Sequence, residues 1–383
     1  GKSNRKITPK LAAIKDLTCV GIPTAEDPTE SIYRFEETVL IPGGINLPKV
    51  ISCVSQRGRV YKQLVKSQDD LRQDALVMQV FRLCSTLFQP KVNVRVYKVV
   101  CLTKTAGVLQ WIDNTVPIGD FLTGASDEVF GAHYRYHPDD LLHGQARATM
   151  NEVAKADLRK KLSTYRSICR SFSPCFRHFF TENFSCPTEV YVKRIKYTES
   201  VAATSMMGYI IGLGDRHNSN ILIDQRSAEV IQIDIGLAFD EGKLLPVPEL
   251  VPFRLTRDMV DGMGCTGVEG LFRSTCELIL ERLRDSRKMV NTVVETLLHD
   301  PLAKWSVDYH RIFKKSRDEM QEKCTNGSRS LDAERASMKV NQKLQGNVAN
   351  ETLSCKAHAN VLIREATSEI NLCQMFSGWS AWV

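Results

Sequence analysis

The sequence lacks the long apolar run that a membrane span needs. Its longest uncharged, mainly apolar stretch, Val201 to Gly214, is too short to cross a bilayer as a helix. No signal-peptide pattern opens it, because Gly1 to Lys10 is polar and basic. None of the 12 cysteines belongs to a Cys-x-x-Cys pair, and no Cys/His group has zinc-ligand spacing. That usage suits reduced thiols in a cytosolic or nuclear protein rather than a disulfide framework. Internal repeats and low-complexity tracts are missing too. The first 110 residues hold neither a Gly-x-Gly-x-x-Gly loop nor a Gly-x-x-x-x-Gly-Lys-Ser/Thr loop, so neither usual phosphate cradle is there.

What remains is ordinary globular material. The 383 residues are 43% hydrophobic and 25% charged, enough for two or three units with cores of their own. A net charge of +7 favours anionic ligands such as nucleotides, but no basic-aromatic nucleic-acid module is visible. A start at Gly1 rather than Met suggests a piece of a longer protein.

The chain reads in five parts. Residues 1–30, basic and then rich in Pro, Thr and Glu, read as a linker or the end of a preceding domain. Residues 31–110 read as a small strand-rich lobe. Strands are expected over Glu37 to Pro42, Lys49 to Ser55 and Val60 to Lys66, the last two forming a hairpin around Gln56-Arg57-Gly58-Arg59. A helical stripe follows over Leu71 to Phe88, then a strand through Val92, Val94 and Val96. Leu109 to Asn114 reads as the crossing into a mainly helical lobe, residues 111–304, with helices near Asp139–Thr149, Ala154–Ser171, Glu199–Leu213, Val268–Ser286 and Arg287–His299. Residues 305–350 turn polar and charged, above all from Ser316 to Asn350, and read as a regulatory, partly mobile segment. Residues 351–383 end in an aromatic cluster, Phe376 to Val383.

The chemistry concentrates between Leu213 and Phe239. A polar loop carrying Asp215, Arg216, His217 and Asn220 leads into two β-branched runs separated by a short turn, a hairpin that would bring Asp234 back beside Asn220. Asp, four residues, Asn and then Asp-x-Gly is the order a phosphoryl-transfer loop requires. Asn220 and Asp234 supply oxygen ligands suited to magnesium. Asp215 is the candidate for orienting and deprotonating an acceptor hydroxyl, with His217 donating to the transferred phosphoryl; the reverse assignment of these two roles stays open. Lys66, ending a strand, is the candidate phosphate contact, paired preferably with Asp74; Asp69 and Asp70 fit helix capping. Trp111 and Ile112 suit an adenine slot and its backbone edge, and Tyr97 a deep-pocket position. The glycine-bearing turn from Gly43 through Pro48 and Lys49 is placed to cover phosphates.

Taken together, LVKSQDDLRQD (Leu64 to Asp74), GYIIGLGDRHNSNILID (Gly208 to Asp224), IDIGLAF (Ile233 to Phe239), PFRLTRDMVDGMGCTGVEG (Pro252 to Gly270) and the closing FSGWSAWV resemble the phosphatidylinositol 3-kinase-related protein kinases. The order Asp215-Arg216-His217, reversed from the usual kinase His-Arg-Asp, is that group's hallmark. The resemblance implies an α+β, bilobal kinase fold of the phosphatidylinositol 3-/4-kinase-like type, with a small β-rich N-lobe, a larger helical C-lobe and a C-terminal FATC element. It implies ATP with Mg2+ or Mn2+, Lys66 on the phosphates, Asp74 and Tyr97 in the inner pocket, Trp111 at the adenine, and Leu237 to Pro252 as activation loop. It further implies Ser/Thr phosphorylation before Gln, DNA-break signalling in the nucleus, sensor proteins that connect the kinase to DNA indirectly, and a homodimer of the full-length protein.

Two other readings compete. A lipid kinase shares the reversed loop, but Leu237 to Pro252 holds one base, Lys243, against three acids, Asp240, Glu241 and Glu249, which fits an anionic lipid badly. A non-catalytic scaffold would be expected to lose Lys66, Asp215, Asn220 or Asp234, and all are present. Trp379 and Trp382 are expected to dock on the kinase body rather than at a membrane interface.

Overall fold

The computed structural model describes residues 17, 20–42, 47–125, 129–298, 326–348 and 351–383. The chain forms two compact units, with divisions after Gln79, Arg95 and Asp113.

The first unit is built on a five-stranded antiparallel sheet. Its strands are β1 (Ile32–Phe35), β2 (Lys49–Ser55), β3 (Val60–Ser67), β4 (Val99–Cys101) and β5 (Ala106–Gln110), in the order β1-β2-β3-β5-β4. The β2–β3 hairpin lies where the alternating pattern predicts, turning at Gly58 with φ +78° and pairing Lys49 with Val65. Three expectations change. The first strand is Ile32–Phe35 rather than Glu37 to Pro42, where Leu40 makes a single bridge to Val50. Val92, Val94 and Val96 join no ladder; Val92 and Val94 are buried, so burial rather than sheet pairing explains their alternation. Within residues 20–30, expected to be linker, Ile22 and Ala25 pack with Ile32 and Cys53, and Arg57 Nη1 meets Asp27 Oδ2 at 2.8 Å. Two apolar side chains among Pro and Glu sufficed to anchor that stretch.

Helix α1 (Arg72–Phe88) buries Leu76, Val77, Val80, Phe81, Cys84 and Phe88, the stripe that its period-3.6 pattern predicts. The second unit contains a three-stranded antiparallel sheet, β6 (Thr115–Pro117), β7 (Ile221–Asp224) and β8 (Val230–Gln232). Its helices are α2 (Ile118–Thr123), α3 (Ala132–Tyr136), α4 (His143–Glu152), α5 (Leu158–Arg170), α6 (His178–Asn183), α7 (Pro187–Ile211), α8 (Arg257–Gly262), α9 (Leu271–Asp285), α10 (Arg287–Leu298), α11 (Asn326–Gln345), α12 (Cys355–Ala366) and α13 (Glu369–Leu372), with a two-stranded ribbon, β9 (Asn347–Val348) and β10 (Glu351–Thr352), before α12. Helix α7 is the axis. From Tyr197 to Ile211 nearly every residue is buried, including Ser200, Thr204 and Ser205, whose small size lets neighbours close in on all sides. Around its first half, Phe121, Phe176, Phe179, Phe180 and Tyr197 stack edge-to-face or offset with centroids 5.4–5.7 Å apart.

The polar stretch expected to be mobile from Ser316 to Asn350 is, from residue 326 on, largely the helix α11. It buries Ala333, Ala336, Val340 and Leu344, a three- and four-residue spacing that two alanines make hard to see as a hydrophobic stripe. Residues 299–325 lie outside the described residues. At the end of the chain Trp379, Trp382 and Val383 are buried within the second unit, as the expected docking on the body of the protein requires.

Candidate active site

Helix α7 leads into the loop expected to carry the catalysis. Pro187 at its first position fits a site where no backbone N–H is needed. Its last turn closes at Gly212, φ +71°, with Leu213 N–H donating to Gly208 O at 2.8 Å. A Cβ on Gly212 would sit 2.5 Å from Asp240 N, so glycine is required there by conformation and by space.

Beyond it, Asp215 takes φ +57° and Asp234 φ +51°, left-handed values that non-glycine residues hold only when their surroundings impose them. The surroundings are on hand. Asp215 N–H donates to both carboxylate oxygens of Glu249, at 2.9 and 3.0 Å, while Asn220 Nδ2 donates to Asp215 O at 2.8 Å. Ile221 pairs with Gln232, and Ile233 N–H donates to Asn220 O at 3.0 Å. The hairpin therefore does carry the chain back to Asn220, one residue short of Asp234.

Arg216, given no role from sequence, is buried and ties the loop to the hairpin. Its guanidinium donates to Gly214 O at 2.7 Å, Gln232 Oε1 at 3.2 Å, Ile233 O at 2.8 Å and Asp234 O. Arg254 continues the linkage. It donates to Arg216 O at 3.4 Å and to Trp379 O, Ser380 O and Val383 O at 2.7, 3.0 and 2.7 Å, with its guanidinium 4.3 Å from the Trp379 ring centroid. Burial pulls Arg254 down to about 9. Neither arginine, nor Glu249, stood out by type or spacing; their signal is the number of carbonyl and amide groups they satisfy in three dimensions.

Burial pushes the Asp215 carboxyl up, against the pull of His217 and Arg216. It pushes the His217 imidazole down, against Asp215. Ser219 N–H donates to His217 Nδ1 at 3.2 Å, so in the neutral ring the proton resides on Nε2. The site thus combines a carboxylate of raised proton affinity with a neutral imidazole donor.

The first unit holds the other predicted residues. Lys66, on β3, lies opposite Gly107 of β5, where a Cβ would meet Val100 O at 2.6 Å. Lys66 Nζ is 3.6 Å from Asp69 Oδ2, both side chains mostly buried. Asp69 is thus an ion partner of Lys66, and Asp70 accepts from Arg72 N–H at 3.2 Å where α1 begins. Asp74, the preferred partner of Lys66, is buried in the first turn of α1. Tyr97 is buried, and Trp111 and Ile112 are half-buried just beyond β5, with Trp111 N–H donating to Lys62 O at 3.2 Å. Lys49 opens β2 and Pro48 immediately precedes it; Gly43–Asn46 lies outside the described residues.

Asn220 and Asp234 fit a magnesium ion. The amide nitrogen of Asn220 is committed to Asp215 O, which leaves its oxygen for a cation, and the Asp234 side chain is exposed. Elsewhere, His133, Cys175 and Asp258 bring three potential ligand atoms within 4.8 Å in the interior. There Asp258 accepts from His133 Nε2 at 3.0 Å and from Cys175 N–H at 2.8 Å, bonds that fasten α3 and the 171–177 turn to α8. The string Gly262-Met263-Gly264-Cys265-Thr266-Gly267 matches Gly-x-Gly-x-x-Gly but ends α8, and a Cβ on Gly262 would strike the Phe176 ring at 2.5 Å.

A family model described as phosphatidylinositol 3- and 4-kinase matches residues 60–307, and one described as FATC domain matches 352–383. The chain is 42% identical to the serine-protein kinase ATM of Sus scrofa over 97% of its own length and 13% of that protein's, and 40% identical to the serine/threonine-protein kinase ATM of Arabidopsis thaliana over 100% and 10%. It spans, then, a small part of the relatives it matches. The solved structure described as the complete CtTel1 dimer with C2 symmetry superposes with a TM-score of 0.84 at 38% identity, covering 95% of this chain and 14% of that one. The fold is accordingly the α+β kinase fold of these proteins, closed by a FATC element. With residues 60–307 matched and the reversed Asp215-Arg216-His217 loop, its hairpin and Lys66 in place, the chain belongs to the phosphatidylinositol 3- and 4-kinase family.

Proposed function

We propose that this chain is the catalytic portion of an ATP-dependent serine/threonine protein kinase. The observation that carries the reading is the Asp215–Asn220–Asp234 arrangement, held by Glu249 and Arg216. Asp215 takes the hydroxyl proton of the acceptor, a task its raised proton affinity suits. His217 donates from Nε2 to the developing charge on the phosphoryl group, since its Nδ1 already accepts a backbone N–H. Asn220 and Asp234 would hold Mg2+, or Mn2+, which when bound would neutralise charge on the transferred phosphoryl. Lys66, steadied by Asp69, contacts the phosphates of ATP; Asp74 and Tyr97 line the inner pocket, Pro48 and Lys49 flank the phosphates, and Trp111 and Ile112 receive adenine.

The acceptor is Ser or Thr followed by Gln. A cleft of about 380 Å³ beside the loop is lined by Tyr209, Asp240, Lys243, Glu249, Lys343 and Glu365, with Gly214 at its edge. Donors and acceptors in one cleft suit an amide side chain, which needs both. The relatives are named protein kinases, which favours protein over lipid, as does the acidic segment Leu237 to Pro252. We further propose nuclear action in DNA-break checkpoint signalling, reached through sensor proteins rather than direct DNA contact, by a homodimer of the full-length protein like the C2-symmetric relative. No helix among the described residues is long and apolar enough to cross a membrane. A phosphotransfer assay on a Ser-Gln peptide, its Ser-Ala counterpart and phosphatidylinositol vesicles tests the reading; transfer to lipid but not peptide contradicts it.

A further inference from the structure

We propose that Ser67 is a self-phosphorylation site, modified by one copy of the kinase on another, and that its phosphate weakens ATP binding at the adjacent Lys66. The inference rests on the Ser/Thr-Gln reading above. The chain contains two Ser-Gln dipeptides, Ser55-Gln56 and Ser67-Gln68, and no Thr-Gln. The structure separates them. Ser55 is buried, with 1% of its surface exposed, and its Oγ accepts from Arg59 N–H at 3.2 Å. Ser67 is exposed at the last position of β3, and Gln68, also exposed, leaves the strand with φ +62°. Serine and the amide that a Gln-directed kinase reads are therefore both offered at one surface turn.

The position gives the modification a consequence. Successive side chains of a strand point to opposite faces, so Ser67 can be modified while Lys66 keeps its own face. A phosphoserine carries about −1.5 to −2 charge near neutral pH. It would enter a turn that already holds Asp69 and Asp70, with Asp74 in the first turn of α1 beyond it and Lys66 and Arg72 as the basic residues of the same stretch. Lys66 is 3.6 Å from Asp69, and Arg72 Nε donates to Asp70 at 2.7 Å. From the neighbouring strand position the new dianion adds negative charge close to the Lys66–Asp69 pair and repels a nucleotide triphosphate. In the transfer, the bond from the γ-phosphorus to the bridging oxygen of ADP breaks and a bond to Ser67 Oγ forms. The hydroxyl proton passes to Asp215 of the transferring copy, and ADP leaves.

The test mixes an active Ser67→Ala copy with an Asp234→Ala copy whose Ser67 is intact, in MgATP with a free Ser-Gln peptide, and maps phosphate by mass spectrometry. Phosphate is expected on Ser67 of the Asp234→Ala copy and not on Ser55. Gln68→Asn in the acceptor, chosen because Asn tolerates a left-handed φ, should cut incorporation about tenfold. After pre-incubation with MgATP the unsubstituted protein should show an ATP KM raised about threefold or more at unchanged kcat, and Ser67→Ala no rise. A phosphorylated peptide with bare Ser67 overturns the inference and leaves the substrate reading standing. An unmodified peptide with bare Ser67 overturns both, and a phosphorylated Ser67 with unchanged KM overturns the regulatory half.

Discussion

At the scale of single residues, the candidate site is a set of backbone groups aimed by a few side chains. Asp234 is the clearest case, because its carboxylate is exposed while its carbonyl is held by Arg216. Asp234→Ala is expected to lower phosphoryl transfer by about a thousandfold or more with the fold intact. Near-normal turnover with an unchanged circular dichroism spectrum contradicts the metal role. Asp215 predicts a pH effect. Its carboxyl is held above the ordinary range by burial, so the acid limb of kcat/KM should lie above that of a free aspartate, activity falling as pH drops through it. His217, pushed down, stays neutral and adds no limb near neutrality. An acid limb at the position of an ordinary aspartate contradicts this. Asp215, Asn220 and Asp234 were legible in the sequence because order and spacing along one loop define them. Arg216, Glu249 and Arg254 were not, since apart from the Arg216 contact to Gly214 O they act by meeting carbonyls or amides 16 to 129 positions away.

At the scale of elements, Arg254 joins the C-terminal segment to the catalytic loop. Arg254→Met would leave the buried backbone oxygens of Arg216, Trp379, Ser380 and Val383 without this donor, a loss of about 3 kcal/mol or more of stability. Arg254→Lys should recover only part of it, because one ammonium cannot reproduce the planar fork. Deletion of Phe376 to Val383 removes the acceptors on Trp379, Ser380 and Val383 and should impair turnover or folding; a truncated protein with full turnover contradicts the linkage. Acid tests the same element. His143, whose Nε2 lies 3.0 Å from Ser380 Oγ, and His358, which faces Arg284 and Tyr209, are both pulled down to about 4 by burial. Their unfolded forms bind protons from about pH 6.5 downward. The stability present above pH 6.5 is therefore lost as pH falls toward 4. The fall in Tm across that window should shrink in His358→Gln, and an unchanged fall contradicts the assignment. The β2–β3 hairpin, the β7–β8 hairpin and α1 were legible because their periods are clean. Helix α11 was not, since its buried face uses alanines among charged residues, and the tie of Ile22 and Ala25 to the sheet is a tertiary contact with no local signature.

At the scale of the whole molecule, the sequence motifs, the two units and the family match converge on phosphoryl transfer, and the acceptor is what separates the remaining readings. The family includes kinases of lipids, while the relatives named here are kinases of proteins. The acidic segment after Asp234 weighs for protein: Asp240 is paired with Lys343 at 3.0 Å, and Glu249 is spent on Asp215 N–H, so the face offers little cationic charge to a phosphoinositide. The most direct measurement is a side-by-side MgATP phosphotransfer assay on a Ser-Gln peptide, the matching Ser-Ala peptide and phosphatidylinositol vesicles, with Asp234→Ala as the control. Preferential transfer to the Ser-Gln peptide, abolished in Asp234→Ala, is the predicted result. Transfer to the lipid alone, or equal transfer to both peptides, contradicts it.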